Sequence, residues 1–290
     1  MKKILLTFAD SRMWRSLNRV QKQAAKLNFY DEIIVLDESY LTSEYPPQFH
    51  SKLIAGSRGY GYWSWKPYLI RSILSKINQG DVLQYMDVGC HLNPLGIKRL
   101  SEYCSMAAFA DSGILPFQAK HSSNKYLPIL DGQNKTFFNQ FEYKYNKADL
   151  LNELKVNGDP EITHSPQIGA TVIFLCKKSS SIELVNEWIA IIEKDFKYID
   201  NSPSSIKEHN EFIEHRHDQA IFSILCKKRK IETISALEYY YPKKNSTKPD
   251  WSRLKNFPIH AKRDKDLGFF SNSLAFLKRG LRKLGKILNE

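Results

Sequence analysis

Four short segments of the chain concentrate residue types that bind phosphates, move protons or stack on sugars. They cover residues 7–10, 58–67, 87–89 and 215–219. Carboxylates hold divalent cations or accept protons, whereas guanidinium and ammonium groups pair with phosphate oxygens. Each of these residue types also has an ordinary structural use, in a packed core or at a helix end.

Asp87 ends the apolar run VLQYM and is followed by Val88 and Gly89. In open α/β sheets ligands bind at the carboxyl ends of strands, so a carboxylate there can hold a cation that bridges a diphosphate. Gly89 would let the backbone approach that ligand closely. An aspartate that only forms the turn after a strand is the alternative interpretation.

The segment RGYGYWSWKP, residues 58–67, places four aromatic residues, two glycines and two cations within ten positions. Arg58 and Lys66 can pair with phosphate oxygens, while Tyr62 and Trp65 can stack on a base or on a sugar face. A packed aromatic cluster is an equally good interpretation of the two tryptophans. We predict a donor-binding loop in this segment.

The segment HRHDQ, residues 215–219, opens an apolar helix. His217 or Asp218 can serve as a metal ligand, a sugar-hydroxyl ligand or the base that deprotonates an acceptor hydroxyl. Gln219 can bind sugar hydroxyls. As the structural alternative, Asp218 is a suitable cap for the helix N-terminus. Two neighbouring histidines are compatible with zinc, but no third ligand has a fitting spacing.

The end of the first predicted strand carries Thr7, Phe8 and Asp10. In a sheet of this kind that strand end commonly meets the nucleotide, and Asp10 can then bind uracil or ribose. An N-cap for the following helix is an equally good role for Asp10.

The elements that position these segments alternate between apolar strands and helices. Strands are predicted at residues 3–8, 31–37, 81–86, 113–117, 169–176 and 231–234. Helices are predicted at residues 11–27, 68–77, 97–109, 147–156, 181–195 and 217–227. Such alternation is typical of an α/β fold with a Rossmann-type, mostly parallel sheet flanked by helices.

The composition fits one large domain at residues 1–260. The chain has 290 residues, of which 42% are hydrophobic, so it can bury a sizeable core. Residues 118–166 lack a clean hydrophobic periodicity and are predicted to form an insertion. We expect this insertion on the side of the site that binds the acceptor, the molecule that would receive a transferred group. No run approaches the roughly 18 apolar residues of a membrane span, and the short first run favours a buried strand over a signal peptide. The four cysteines form no CxxC pair and are expected to be reduced cytosolic thiols.

The C-terminal residues 261–290 carry a basic amphipathic pattern. Leu277, Leu281, Leu284 and Leu288 fall on one helical face, with lysines and arginines around them. The chain as a whole has 43 Lys and Arg against 31 Asp and Glu, a net charge of +12. A basic amphipathic helix tends to lie on an anionic bilayer, which is the prediction for this tail. A helix packed on the domain with a solvated basic face is the alternative.

Four blocks of the sequence resemble a family of bacterial glycosyltransferases of the GT-A type, which serve O-antigen and capsule synthesis and include galactofuranosyltransferase-like members. The blocks are GYGYWSWKPYLI, GDVLQYMDVG, the Gln-X-Gly-Ala start of a strand at residues 167–170, and HRHDQAIFSIL. The resemblance spans roughly residues 3–225. It implies a GT-A-like fold and a UDP-sugar as co-substrate, with Asp87 as the donor-site acid and Asp218 near the reacting centre.

The sequence departs from that family at its metal motif. GT-A enzymes usually end the strand with Asp-X-Asp, whereas this chain has Asp87, Val88 and Gly89. Either Asp87 holds Mg²⁺ or Mn²⁺ with help from His217, or Arg58 and Lys66 take the place of the cation.

We therefore predict a hexosyltransferase, galactofuranosyl- or galactosyl-transferring, which moves a sugar from a nucleotide donor to a lipid-linked or growing surface glycan. It would work in the cytoplasm, peripherally on the inner face of the cytoplasmic membrane. Asp218 is the preferred base, with Glu142 and Asp149 in the insertion as alternatives.

Two other classes of function remain open from the sequence. A basic membrane- or nucleic-acid-associated binding module without catalysis would explain the charge, although no nucleic-acid motif is present and no nucleic-acid partner is expected. A nucleotidyl- or phosphotransferase would lack the usual phosphate-binding loop, since no GxxxxGK[ST] occurs.

Overall fold

A six-stranded sheet forms the centre of the chain in the computed structural model, which describes residues 1–124, 127, 135–243 and 248–266. The strands are β1 (Lys3–Phe8), β2 (Glu32–Leu36), β3 (Val82–Met86), β4 (His91–Leu92), β5 (Ile114–Gln118), β6 (Ile168–Cys176), β7 (Ile234–Ser235) and β8 (Ile259–His260). The central sheet has the order β2-β1-β3-β6-β5-β7, and β4 pairs with β8 in a small second sheet. This arrangement confirms the mixed α/β fold.

Strand β6 is the one member of the central sheet that runs against the others. β1 pairs in parallel with β2 and β3, β5 pairs in parallel with β7, and β6 is antiparallel to both β3 and β5. The sheet is therefore mostly parallel in direction, as predicted. Because β6 is reversed, its beginning lies at the carboxyl end of β3, where the Asp87 amide donates to the Thr171 carbonyl over 2.9 Å.

Helices cover both faces of the sheet. They are α1 (Trp14–Leu27), α2 (Leu41–Glu44), α3 (Gly59–Tyr62), α4 (Lys66–Lys76), α5 (Ile97–Phe109), α6 (Lys135–Phe138), α7 (Glu142–Tyr145), α8 (Ala148–Glu153), α9 (Pro160–Thr163), α10 (Ser179–Lys194) and α11 (His217–Lys228). Short 3₁₀ turns join several of them. Among these described residues, no helix combines the length and hydropathy that a bilayer span requires.

Two hydrophobic cores follow from the alternation of side chains along the strands. On β1, Ile4, Leu6 and Phe8 join the core beneath α4, α10 and α11, whereas Leu5 joins the core beneath α1 and α5. The largest side chain of the first core is Trp188, which is fully buried and packs 5.0 Å from the Phe222 ring. All four cysteines are buried and unpaired.

Local sequence patterns failed in three places. The sequence analysis gave no strand between residues 86 and 97, where β4 lies, and the strand expected at residues 231–234 begins only at Ile234. The insertion at residues 118–166 was predicted to hold one helix, but its described part has four short ones. Short elements of this kind depend on distant partners, as β4 does on β8, and so leave little periodic signal. Residues 267–290, where the amphipathic helix was predicted, lie outside the described residues.

Gly96, at the start of α5, provides a stability test of the contact between that helix and the chain near β8. A Cβ at this position would lie 2.2 Å from the backbone nitrogen of Pro258. We expect Gly96→Ala to lower the free energy of unfolding by about 2 kcal/mol or more through overpacking, measured by urea denaturation. Gly158→Ala is the matched control, because its Cβ meets nothing within 4 Å. Equal effects of the two substitutions would contradict the predicted contact.

Candidate functional site

A buried lysine stands between two carboxylates at the carboxyl end of β3. The Lys66 Nζ lies 2.5 Å from an Asp218 carboxylate oxygen and 3.3 Å from one of Asp87. It also donates to the Ala170 carbonyl over 3.0 Å. An ammonium group has three N–H donors, so these three partners leave none free for a phosphate.

Four separate elements supply this cluster. Lys66 is the first residue of α4, Asp87 follows the last residue of β3, Ala170 lies near the start of β6, and Asp218 lies in the first turn of α11. The predicted convergence of the tryptophan-rich segment, the acid after the strand and the HDQ helix start on one edge of the sheet is thus observed. Their roles toward a ligand remain predictions.

Asp87 is the open member of the cluster. Its side chain is 29% exposed, against 6% for Asp218 and 2% for Lys66. The Tyr85 hydroxyl donates to the carboxylate oxygen that faces Lys66, over 2.7 Å. The carboxylate is therefore held through one oxygen while part of the side chain is exposed to solvent.

Asp218 has an unusually high pKa for an aspartate. Burial raises its pKa to about 6, opposed by Lys66 and assisted by the like charge of Asp87. Burial by itself would lower the pKa of Lys66, but Asp218 and Asp87 outweigh that effect and raise it. The lysine thus stays charged, while Asp218 titrates close to neutral pH.

The segment before Lys66 is a turn of left-handed backbone. Gly59, Tyr60, Gly61, Tyr62 and Trp63 have φ angles of 62°, 50°, 88°, 60° and 57° in succession. The left-handed conformation costs roughly 1–2 kcal/mol for each residue that has a Cβ, so three of these five positions are strained. A Cβ on the first glycine would lie 2.2 Å from the Trp63 ring, so the turn requires glycine there.

The strained turn packs against the start of α11. The Tyr62 and Trp63 rings lie 5.0 and 5.9 Å from the His217 ring, whose own residue has φ of 54°. Trp65 is 3% exposed, donates from its indole to the Gly59 carbonyl, and packs 4.1 Å from Phe8. Both tryptophans therefore serve in packing, which was the alternative interpretation.

His217 is a buried neutral imidazole. Its Nδ1 lies 2.7 Å from the Ile199 carbonyl, which fixes the proton on that nitrogen. Burial lowers the pKa of His217 to about 4. Its Nε2 is buried and has no hydrogen-bond partner among the described residues.

The donor set does not fit a divalent cation held by Asp87 and His217. The imidazole is fully buried, and the inner oxygen of Asp87 is engaged by Tyr85 and Lys66. Among the residues that the structure describes, no group of three or more His, Cys, Asp or Glu side chains is placed to hold a metal. The ammonium of Lys66 occupies the position between the two carboxylates that a bridging cation would take.

The residues at the end of β1 are buried within the protein. Thr7 is fully buried, and its hydroxyl has no partner among the described atoms. Phe8 is part of the core. Asp10 caps the following 3₁₀ turn and pairs with the Arg12 guanidinium over 2.6 Å, so the predicted cap is confirmed.

Gln219 belongs to a buried polar network. It donates to Gln167 over 2.8 Å, Gln167 donates to Glu142 over 3.0 Å, and Glu142 pairs with Lys227 over 2.5 Å. Glu142 is fully buried, and Asp149 accepts from the Ser205 backbone amide and hydroxyl. Both alternatives for the acceptor base thus have structural partners, and their catalytic role remains a prediction.

Positive charge collects around Asp87 from residues that the sequence did not single out. The segment after β8 runs along Gly89, with the Asp264 amide donating to the Gly89 carbonyl over 3.1 Å. This contact places the backbone of Arg263, which is exposed and left-handed at φ of 54°, against Gly89, two residues after Asp87. No local motif marks Arg263, because it is distant in sequence from Gly89 and only the fold brings the two together.

Tyr239 and Arg216 lie within electrostatic range of each other. Burial raises the pKa of Tyr239, and the charges of Arg263, Asp87 and Arg216 all act on its hydroxyl. The Arg216 guanidinium lies 3.7 Å from the centre of the Tyr145 ring. The predicted Arg58 is 42% exposed and lies at the rim, where it pairs with Glu214 over 3.0 Å.

Comparison with solved structures finds similarity at low identity. A glycosyltransferase involved in the glycosylation of the major capsid of PBCV-1 matches at 9% identity and a TM-score of 0.45, over 92% of this chain and 99% of that chain. Mouse xyloside xylosyltransferase 1 matches at 13% and 0.39, over 80% and 83%. The galactosyltransferase LgtC, in complex with donor and acceptor sugar analogs, matches at 12% and 0.39, over 89% and 86%.

No family model and no curated protein matches the sequence. At these identities and TM-scores the structural similarity supports no inference about function. The function proposed below therefore rests on the geometry of the site.

Removal of the central ammonium tests the charge cluster. We expect Lys66→Met to lower the free energy of unfolding by about 3 kcal/mol, because it leaves two carboxylates facing each other without a cation. The loss of stability should be larger at about pH 8 than at about pH 5. Without the lysine, Asp218 in the native variant keeps a proton that it releases in the wild type, so the stability of the variant falls more steeply as the pH rises. Urea denaturation at both pH values measures it.

Lys177→Met is the matched control for that experiment. The Lys177 ammonium donates only to the Ser75 and Ile77 carbonyls, so its loss should show no comparable dependence on pH. A cost of Lys66→Met that is equal at the two pH values would mean that Asp218 does not titrate against the lysine.

Proposed function

We propose that this protein is a glycosyltransferase that moves a sugar from a nucleotide donor, UDP in the first instance, to a hydroxyl acceptor. One observation carries the proposal: Lys66 holds an aspartate with a pKa of about 6 beside a second, open aspartate at the carboxyl end of β3. The exposed Arg263 lies at the same edge of the sheet, where its backbone packs on Gly89. A proton acceptor and an anion site close to each other are the two requirements of sugar transfer from a nucleoside diphosphate.

The donor diphosphate would bind along the segment where Gly89 meets Arg263. The Arg263 backbone packs on Gly89, its Cα 3.2 Å from where a Gly89 Cβ would lie, and the exposed Arg263 side chain forms no ion pair among the described residues. Arginine pairs with phosphate oxygens through parallel N–H donors. Arg216 and the Tyr239 hydroxyl extend this surface toward Asp218.

The acceptor hydroxyl would approach Asp218. The acceptor proton passes to the Asp218 carboxylate, the acceptor oxygen bonds to C1 of the sugar, and the bond from C1 to the diphosphate oxygen breaks. The electron pair leaves with the nucleoside diphosphate, whose charge the arginines stabilise. Lys66 acts as a positioning residue, since it fixes Asp218 and the inner oxygen of Asp87 and has no free donor for substrate.

The cation remains a separate proposal. The side chains at the site do not fit a metal held by Asp87 and His217, so no step above depends on Mg²⁺ or Mn²⁺. Activity assays with and without EDTA would decide whether the donor brings such an ion with it.

The finer assignments also stay proposals. A galactofuranosyl or galactosyl donor follows from the sequence resemblance alone. A lipid-linked surface glycan as acceptor, and a position on the inner face of the cytoplasmic membrane, follow from the basic pattern of residues 261–290. A screen of UDP-sugars for transfer and hydrolysis, with vesicles present or absent, tests them.

Nucleotide binding is the first test. We expect UDP to bind in calorimetry, and Arg263→Ala to weaken it at least about tenfold, because a charge-assisted hydrogen bond is lost. Lys265→Ala is the charge-matched control: it removes another exposed cation of the same segment and should change the affinity by less than about threefold. The absence of UDP binding to the wild type would instead support a binding module without catalysis.

The acid pair is the second test. Asp218→Asn should lower kcat about 100-fold or more, through loss of the base, without loss of folding. In the wild type, kcat/KM should fall below about pH 6, where Asp218 becomes protonated. Asp87→Ala should also abolish transfer while the protein stays folded.

Asp159→Asn serves as the control for the acid pair, because Asp159 only caps α9 and asparagine retains that cap. Full activity of Asp218→Asn would remove this residue from the mechanism, and full activity of Asp87→Ala would do the same for Asp87.

A further inference from the structure

A cavity lies between the insertion and the polar loop at residues 207–210, apart from the lysine cluster. It has a volume of about 330 Å³, at the lower end of the range of small-molecule sites. Its wall is formed by α7 and α8, by the chain around α9, and by residues 207–210 of the polar loop. None of the proposed catalytic residues lines it.

A buried polar atom in the cavity wall lacks a partner. Asn146 is 1% exposed and lines the cavity. Its amide nitrogen donates to the Glu142 carboxylate and carbonyl, but its Oδ1 has no hydrogen-bond partner among the described residues. A buried amide oxygen left unpaired costs free energy, so a ligand hydroxyl would find an acceptor already desolvated.

The remaining wall suits a neutral polyhydroxylated ring. The rings of His209 and His164 lie 4.2 and 4.7 Å from the Tyr143 ring and are themselves exposed, so they present flat surfaces. The side chains of Asn157 and Asn210 offer both donors and acceptors at the rim. An anion would need an excess of cations, but the lining has one lysine and one glutamate, Lys207 and Glu208, whose charges offset.

The cavity is tied to the lysine cluster through the backbone. The Arg216 amide donates to the Tyr145 carbonyl over 3.1 Å, and the Lys147 amide donates to His215 over 3.3 Å. The chain that forms the cavity wall is thus bonded to the residues immediately before His217 and Asp218. This link to the segment that carries the proposed base is the reason for associating the cavity with the acceptor.

We propose that this cavity is a binding subsite for one neutral sugar ring of the acceptor glycan. The proposal rests on the proposed transferase function, because only that function makes the bound sugar part of an acceptor. Binding itself requires no catalysis and is measurable without a donor.

Histidine ring resonances of the full-length protein give a local readout. Methyl β-D-galactopyranoside, methyl α-D-glucopyranoside and methyl α-D-mannopyranoside are titrated, with inorganic phosphate and glycerol as comparison ligands. We expect at least one hexoside to shift the His164 and His209 signals saturably, with a Kd on the order of 1 mM. His50 and His260, whose rings bond backbone carbonyls elsewhere, should not move.

Asn210→Ala should weaken hexoside binding about fivefold or more, as expected for loss of a hydrogen bond. Asn201→Ala is the matched control, because Asn201 is an exposed asparagine outside the cavity. Shifts caused equally by glycerol, shifts caused by phosphate alone, or no shift with any hexoside would each overturn the subsite.

The two proposals fail separately. Binding of UDP without any hexoside shift would remove the subsite and leave the transferase. Hexoside shifts without UDP binding would remove the transferase and leave a sugar-binding site of another purpose.

Discussion

The ion pairs of Lys66 are the constraint on which the rest of the site depends. Burying the Lys66 ammonium, the Asp218 carboxylate and most of the Asp87 side chain costs free energy unless the charges are paired. Here the Ala170 carbonyl accepts from the ammonium, and Asp218 and Asp87 form ion pairs with it over 2.5 and 3.3 Å. Because these partners come from β3, β6 and α11, the lysine fixes the relative positions of three elements, and any shift of one of them would leave a buried charge unpaired.

The left-handed turn before Lys66 follows from that constraint. Helix α4 must begin with its first residue inside the protein, so the chain has to reverse sharply just before it. Five consecutive positive φ angles accomplish the reversal, and packing of Trp63 on His217 and of Trp65 on Phe8 offsets the strain. Strained backbone of this kind persists only where the surrounding structure determines it, and it is concentrated at functional sites.

Sequence reasoning predicted the strands and the two acids well, because apolar runs and strand-end carboxylates are local signals. It correctly brought Asp87, Lys66 and Asp218 to one edge of the sheet. It offered Lys66 as a phosphate ligand and could not show that the ammonium faces Asp87 and Asp218, since a lysine before a helix looks alike whether its ammonium faces a ligand or two carboxylates. Arg263 was missed because only the return of the chain past Gly89 brings it near, and no local pattern records such a return.

The reversed direction of β6 has a consequence for how such a protein can diversify. Strand β5 ends, and β6 begins, at the edge of the sheet where Asp87 lies, as the pairing of Gln118 with Ile168 and of Met86 with Val172 requires. The connection between them needs no crossover, so its length is free. Any segment inserted at this point emerges beside Lys66, Asp87 and Asp218, so the surroundings of the charge cluster can change while the cluster itself is retained.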